Sequence, residues 1–183
     1  KYGVWGFNDD YCLGLNIFMM PIEEWLFFFI IPFCSLFIHF AIKHSIPNAF
    51  LRKNTTRVVS FILIVLTLLV LGNNFSKAYT AVNGIILLIT LTLCVLCNIK
   101  LLQQFLISFL VILIPFLIVN GILTGYLTAS PIVKYNDLEN LGIRIFTIPI
   151  EDIGYAFSML LSNLMIFEWL NKKQEQKEDV PIS

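Results

Sequence analysis

The sequence predicts an all-α fold, a polytopic bundle of transmembrane helices built from two parallel repeats. Three observations predict this fold. First, the 183 residues are 58% hydrophobic and only 13% charged, about half the charged fraction of a typical soluble domain. Second, several apolar segments approach or exceed the roughly 20 residues that a helix needs to cross a bilayer. Third, one stretch of sequence recurs at a fixed offset along the chain.

Five segments are the predicted spans: Ile22–Ile42, Arg57–Phe75, Ala78–Cys97, Phe105–Leu123 and Ile153–Leu170. We interpret residues 1–183 as a single membrane domain. Its predicted parts are a first repeat half (1–42), a connecting span (57–75), a second repeat half (78–170) and a polar tail (171–183).

The basic residues in the short connections predict the orientation, because Lys and Arg are enriched on the cytoplasmic side. Eight of them fall on one side: Lys43, Arg52, Lys53, Arg57, Lys100, Lys172, Lys173 and Lys177. The other four are Lys1, Lys77, Lys134 and Arg144. We therefore predict a multi-pass protein of the cytoplasmic (inner) membrane, with the C-terminus in the cytoplasm.

The repeat is seen when Asn8–Glu24 is laid over Asn136–Asp152 with an offset of 128, which gives nine identities in seventeen positions. Both copies precede a span that runs in the same direction, so the repeats are of the parallel kind. Within the second half, two spans, Ala78–Cys97 and Phe105–Leu123, precede the second copy. By symmetry we expect two more before the first copy, that is, a native protein of about seven helices whose first half is N-terminally truncated here.

Each repeat places two adjacent acids at the start of a span, Glu23 and Glu24 in the first and Glu151 and Asp152 in the second, each pair two residues after a proline. Proline and acids both suit the first turn of a helix, so either pair alone is explained by a helix start at the membrane surface. Both pairs are expected on the non-cytoplasmic side. Ionisable groups in a membrane are usually functional, and neighbouring helical residues point about 100° apart. We therefore expect at least Glu23 and Glu151 to face the bundle interior.

Aromatic residues are concentrated at the same predicted level of the membrane: Trp5, Phe7, Tyr11, Phe18, Trp25, Phe27, Phe28, Tyr126, Tyr135, Phe146 and Tyr155. They fit an interfacial aromatic belt or a pocket whose ring faces stabilise a cation. Pro115 and Asn120 in the fourth span fit a kink that lines a cavity or, for Asn120, a simple hydrogen bond between helices.

Composition also excludes some functions. The net charge is zero, so no basic face is expected to bind nucleic acid. The four cysteines lack the spacing of a zinc site or disulfide framework, and we expect no metal.

The chain carries the motifs Pro-Ile-Glu-Glu-Trp and Pro-Ile-Glu-Asp, which follow the segments GVWGFNDDY and ENLGIRIFTIP. In these motifs the sequence resembles the lycopene cyclase domain family, small membrane carotenoid cyclases that are heterodimeric or fused into one chain. The resemblance covers Gly3 to about Leu170 and includes PFLIVNGILTG. Members of this family have two homologous halves, which agrees with the repeat.

The resemblance implies a lycopene β-cyclase, an intramolecular lyase or isomerase that closes the ψ-ends of lycopene to β-ionone rings. A carboxylic acid protonates a terminal double bond, the neighbouring alkene attacks the resulting cation, and a base removes a proton. The reaction is redox-neutral, and the chain has no Gly-x-Gly-x-x-Gly motif for a dinucleotide, so no cofactor is expected. The implied partners are lycopene, the lipid bilayer, and a second copy or other carotenoid enzymes.

The resemblance also implies roles for the acids, with Glu23 and Glu151 as proton donors and Glu24 and Asp152 as groups that tune them or accept the departing proton. Arg144 is expected to offset one carboxylate charge. The candidate substrate-binding residues are Trp25, Phe28, Tyr11, Asn120, Tyr155 and Arg144.

A carboxylate-lined transporter or proton-coupled channel is the alternative, since it too uses repeats and intramembrane acids. A transporter needs its acids near mid-membrane, whereas these acids are predicted at helix ends. A Glu-Glu membrane protease is disfavoured because Phe28 stands where an arginine is needed. Magnesium-dependent prenyl transfer is weaker, because Asp9-Asp10 has no third carboxylate in register.

Overall fold

The structure, a computed structural model, describes residues 3–178. Within these residues the chain forms five long helices: α1 (Ile22–Ser45), α2 (Lys53–Asn74), α3 (Ala78–Cys97), α4 (Ile99–Leu123) and α5 (Glu151–Glu178). All five are long and apolar enough to cross a membrane. The prediction of an all-α, polytopic bundle is confirmed.

Three helices begin earlier than the sequence predicts, because polar residues take part in their first turns. α2 begins at Lys53, α4 at Ile99 and α5 at Glu151. At the start of α4, the Asn98 side chain accepts a hydrogen bond from the backbone N–H of Leu101 at 3.3 Å. α5 continues through residues 171–178, the first part of the predicted polar tail. Lys1 and the rest of that tail, residues 179–183, lie outside the described residues.

The bundle is held by a core of interlocked apolar side chains. α3 packs against α2 and α5, and α1 packs against α4. Phe105 of α4 and Leu161 of α5 lie in the centre of the core, fully buried. Large apolar side chains such as Phe33 and Phe37 of α1 point outward and are 73% and 69% exposed. Outward apolar side chains on all-helical spans suit a bilayer, where the surroundings are as apolar as the core.

α1 and α5 run in the same direction, so their acidic starts lie at the same end of the bundle. At that end Glu24 of α1 and Asp152 of α5 line one cavity. At the other end Lys43 of α1 lies 3.5 Å from Glu168 of α5.

Three short antiparallel ribbons, which the sequence did not predict, cover the acidic end. β1 (Trp5–Phe7) pairs with β4 (Val133–Tyr135), β2 (Asn16–Ile17) with β3 (Met20–Pro21), and β5 (Arg144–Ile145) with β6 (Ile148–Pro149). The β1–β4 ribbon joins the N-terminal loop to the loop between α4 and α5. The register Gly6↔Lys134 at its centre pairs two positions that are 128 residues apart.

The loops before α1 and α5 have matching backbone structures. Asn16 pairs with Pro21, and Arg144, 128 residues later, pairs with Pro149. Both hairpin turns contain a phenylalanine with positive φ, and both loops contain a glycine with positive φ, a conformation that glycine adopts readily. These equivalences support the predicted repeat; the duplication of a whole half remains a prediction.

Candidate active site

The four predicted acids lie in the first turns of two helices, Glu23 and Glu24 in α1 and Glu151 and Asp152 in α5. In each case the preceding hairpin brings the chain into the helix through a proline. Acids at this position also interact favourably with the helix dipole.

A cavity of about 70 Å³ lies beneath the β1–β4 ribbon, among α1, α3, α4 and α5. Seven of the twelve residues that line it are aromatic, and three carry carboxyl or amide groups. The lining residues are Trp5, Glu24, Phe27, Phe28, Tyr79, Phe116, Asn120, Leu123, Val133, Tyr135, Asp152 and Tyr155. The cavity is thus an aromatic chamber with two carboxyl groups in its wall.

Asp152 is the most tightly bound acid of the site and is only 1% exposed. Its carboxyl group accepts hydrogen bonds from the Tyr79 hydroxyl, from Asn120 Nδ2 at 2.6 Å and from the Tyr135 hydroxyl at 3.0 Å. Burial raises the pKa of Tyr135 in the ribbon, and the negative charge of Asp152 raises it further. The Tyr135 hydroxyl therefore keeps its proton and donates a hydrogen bond. Burial disfavours the charge of this carboxyl group, and hydrogen bonds from three donors counteract that cost by stabilising the ionised form.

Glu24 has different surroundings. It is half-buried in the cavity wall and has no hydrogen-bond partner among residues 3–178. At the position equivalent to Tyr135 in the first repeat stands Phe7, which has no hydroxyl. Two carboxyl groups in one largely apolar cavity repel when both are ionised, so the charge of one favours the protonated form of the other.

Glu23 and Glu151 bind the loops that precede their own helices. Glu23 Oε1 accepts the backbone N–H of Leu13 at 2.6 Å. Glu151 Oε1 accepts the N–H of Leu141 at 2.7 Å and the Thr80 hydroxyl at 2.7 Å. The second oxygen of each carboxyl group, Oε2, is buried without a partner in the described part of the chain.

Glu23 and Glu151 were expected to face the bundle interior as proton donors, but the structure does not bring them to a common cavity. Neither of them lines the cavity; the second acid of each pair does. Because neighbouring helical residues point about 100° apart, only one acid of a pair can face the cavity. The loop N–H groups of Leu13 and Leu141 bind the other.

Trp25 and Tyr11 do not line the cavity. The Trp25 indole donates to the carbonyl of Ile17 at 3.1 Å, and its ring lies edge-on to that of Phe18. Tyr11 lies in a short 3₁₀ turn and is 42% exposed. Trp25, in the first turn of α1, thus packs against the preceding loop, and Tyr11 is part of that loop.

Arg144 lies away from the cavity as well. Its guanidinium donates to the carbonyl of Thr147 at 2.7 Å and to Asp137 at 2.5 Å. The hydrogen bond from Arg144 lowers the pKa of Asp137. The carboxylate that Arg144 offsets is therefore a loop aspartate and not one of the four helix acids.

Phe28, Asn120 and Tyr155 line the cavity, where the sequence analysis expected the substrate. The prediction missed Tyr79, whose hydroxyl binds Asp152 and whose ring lies 5.5 Å from that of Tyr135. One signal was present in the sequence, since Tyr79 is the second residue of a predicted span that begins on the acidic side.

Comparison with protein families gives one match, to a family described as Lycopene cyclase, over residues 1–42 and 76–170. All four acids and all twelve lining residues fall within the matched ranges. Residues 43–75, which contain α2, are unmatched and contribute nothing to the cavity. No curated protein and no solved structure shows significant similarity to the chain.

Proposed function

Because the chain belongs to the lycopene cyclase family, we propose that it closes β-ionone rings at the ends of lycopene or a closely related linear carotene. The chain is an integral, multi-pass membrane protein of a carotenoid cyclase family. The observation that best supports the proposal is the aromatic cavity with two carboxyl groups in unlike surroundings, Glu24 and Asp152.

In the proposed reaction Glu24 is the proton donor. Its proton adds to the terminal double bond of the carotene and leaves a tertiary cation. The neighbouring double bond attacks this cation, so that one carbon–carbon σ bond forms and the positive charge moves into the new ring. Removal of a ring proton then restores a double bond. One proton is added and one is lost, so the product is an isomer of the substrate.

Asp152 is the proposed base. Its three hydrogen-bond donors favour the carboxylate, which stabilises the cation and then accepts the departing proton. Glu24 lacks such donors and is the better proton source. This reverses the order expected from the sequence, in which the first acid of each pair was the donor.

The aromatic lining supports a cationic intermediate. A carboxylic acid is a weak acid towards an alkene, so the site must stabilise the cation strongly before protonation can succeed. Each ring face near a cation contributes about 0.5–2 kcal/mol, and seven of the lining side chains are aromatic. Together, the ring faces and the Asp152 carboxylate are expected to stabilise the cation by several kcal/mol.

The size of the cavity bears on how the substrate binds. A volume of about 70 Å³ holds no more than the terminal few carbons of a linear carotene. We propose that the rest of the polyene lies along the apolar helix surfaces in the bilayer, with the acidic end of the bundle at the non-cytoplasmic side of the inner membrane. The acids lie at helix starts, and no observation favours a transporter.

Expression in lycopene-accumulating cells tests the proposal. The wild-type protein should convert lycopene to monocyclic or bicyclic carotenes, identified by chromatography and absorption spectra. A double variant, Glu24→Gln with Asp152→Asn, should leave lycopene unconverted at equal membrane levels. Lycopene that stays unconverted by well-expressed wild-type protein would refute the proposal.

A further inference from the structure

We infer that Glu23 and Glu151 are positioning residues that hold in place the β1–β4 ribbon, which covers the cavity. We also infer that they do not transfer protons. The part of this inference that concerns proton transfer rests on the proposed function. The part that concerns the structure of the loops does not. Four observations carry it.

The first observation is that the same hydrogen bond occurs in both loops. Leu13 N–H binds Glu23 Oε1 at 2.6 Å, and Leu141 N–H binds Glu151 Oε1 at 2.7 Å. Each bond closes a loop of ten residues onto the first turn of the helix that follows it. A hydrogen bond between a backbone N–H and a carboxylate is one of the stronger kinds in proteins.

The second observation is that these loops are continuous with the two strands of the β1–β4 ribbon, which covers the cavity. Trp5 of β1 and Tyr135 of β4 both line the cavity, and the two strands pair with each other. Each strand ends a few residues before the N–H that binds Glu23 or Glu151. Fastening both loops therefore fixes both strands of the ribbon.

The third observation links the cover to the reacting groups. The Tyr135 hydroxyl binds Asp152 at 3.0 Å, and the Trp5 ring lies 6.1 Å from that of Tyr79, which also binds Asp152. A loop that is released at Leu141 would let Tyr135 move and would change the hydrogen bonding of Asp152.

The fourth observation is that Glu23 and Glu151 do not reach the cavity. Their Oε1 atoms are occupied by backbone N–H groups, and their Oε2 atoms are buried away from the lining. A proton donor must lie within hydrogen-bond reach of the atom that it protonates.

Paired substitutions separate the two roles. Glutamine keeps an oxygen that can accept the loop N–H but cannot donate a carboxylic proton, whereas alanine removes both. We expect E23Q and E151Q to form rings within about threefold of the wild-type rate, and E23A and E151A to lose about tenfold or more. Asp10→Asn is the matched control, because Asp10 is an exposed acid of the same loop. Gln variants as inactive as E24Q, at equal membrane levels, would overturn the inference.

Amide hydrogen exchange gives a second readout that does not depend on activity. In purified protein the amides of Leu13 and Leu141 should exchange slowly in the wild type and in E23Q and E151Q. In E23A the Leu13 amide should exchange about tenfold faster or more, and in E151A the Leu141 amide should do the same. Unchanged exchange in the alanine variants would overturn the inference even if activity falls. A wild type that forms no rings but shows the expected exchange would refute the proposed function and leave the loop role standing.

Discussion

The Tyr135 hydroxyl donates a hydrogen bond to Asp152 Oδ2 at 3.0 Å and so joins the β1–β4 ribbon to the first turn of α5. Tyr79 and Asn120 donate to the same carboxyl group from α3 and α4. The ribbon and three helices therefore meet at one buried acid. The position of this acid depends on side chains that are far apart in the sequence.

Replacing Tyr135 by phenylalanine should lower the rate of ring formation. The variant removes one of three donors to Asp152 while it keeps the aromatic ring, and the loss of a hydrogen bond to a charged group should reduce the rate about tenfold. The rate is measured in membranes supplied with lycopene. Tyr126→Phe is the control, since Tyr126 is 58% exposed and lies outside the cavity. Equal losses in both variants would contradict the role of Tyr135.

Phe28 and Phe29 are adjacent in α1 but should respond differently to substitution by leucine. Phe28 lines the cavity, whereas Phe29 is 71% exposed and points outward. Loss of one ring face from the cation site should raise the barrier by about 0.5–2 kcal/mol. We expect Phe28→Leu to slow ring formation by roughly 2- to 30-fold, and Phe29→Leu to have little effect. A slower Phe29→Leu variant with an unaffected Phe28→Leu variant would be inconsistent with the cavity as the reaction site.

Gly142 should tolerate alanine poorly although there is space for a methyl group. Nothing lies within 4 Å of an added Cβ, but φ is +71°, and left-handed backbone costs an L-residue about 1–2 kcal/mol. Gly14, its equivalent in the first loop, has φ +79° and should respond alike. Gly6→Ala is the control, because Gly6 has equal space and no positive φ. Thermal unfolding in detergent measures the effect, and an equal midpoint for Gly6→Ala and Gly142→Ala would speak against it.

Core packing predicts that alanine substitution of two phenylalanines affects the stability of the bundle differently. Phe105 is 1% exposed at the centre of the bundle, and Phe33 is 73% exposed on its outer face. Phe105→Ala leaves a cavity and loses van der Waals contacts, which should destabilise the bundle by about 2 kcal/mol, less than in a soluble core because lipid also solvates apolar groups. Phe33→Ala should change stability little. Thermal unfolding of both variants checks this, and a larger effect of Phe33→Ala would argue against the packing described.

The sequence predicted the helices well, because a bilayer demands long apolar segments and leaves few alternatives. Ala78–Cys97 was predicted with the bounds that the structure has. The ribbons were missed because strands of two or three residues are too short for an alternating pattern to show. Their pairing depends on loops more than 120 residues apart, as between Gly6 and Lys134.

The sequence also placed the four acids at helix starts but could not tell which member of each pair faces the cavity. That choice depends on where the loop N–H groups of Leu13 and Leu141 point. Tyr79 was missed for a related reason. Its hydroxyl acts on an acid 73 residues away, a proximity that only the packing of α3 against α5 creates.

The products of Glu24→Gln and Asp152→Asn, compared side by side in lycopene-accumulating cells at equal membrane levels, test the central claim most directly. If Glu24 donates the proton and Asp152 removes one, Glu24→Gln leaves lycopene unconverted. Asp152→Asn then consumes lycopene slowly and gives rings with an altered double-bond position, detected by absorption spectra and chromatographic retention. Normal ring formation by Glu24→Gln would contradict the account.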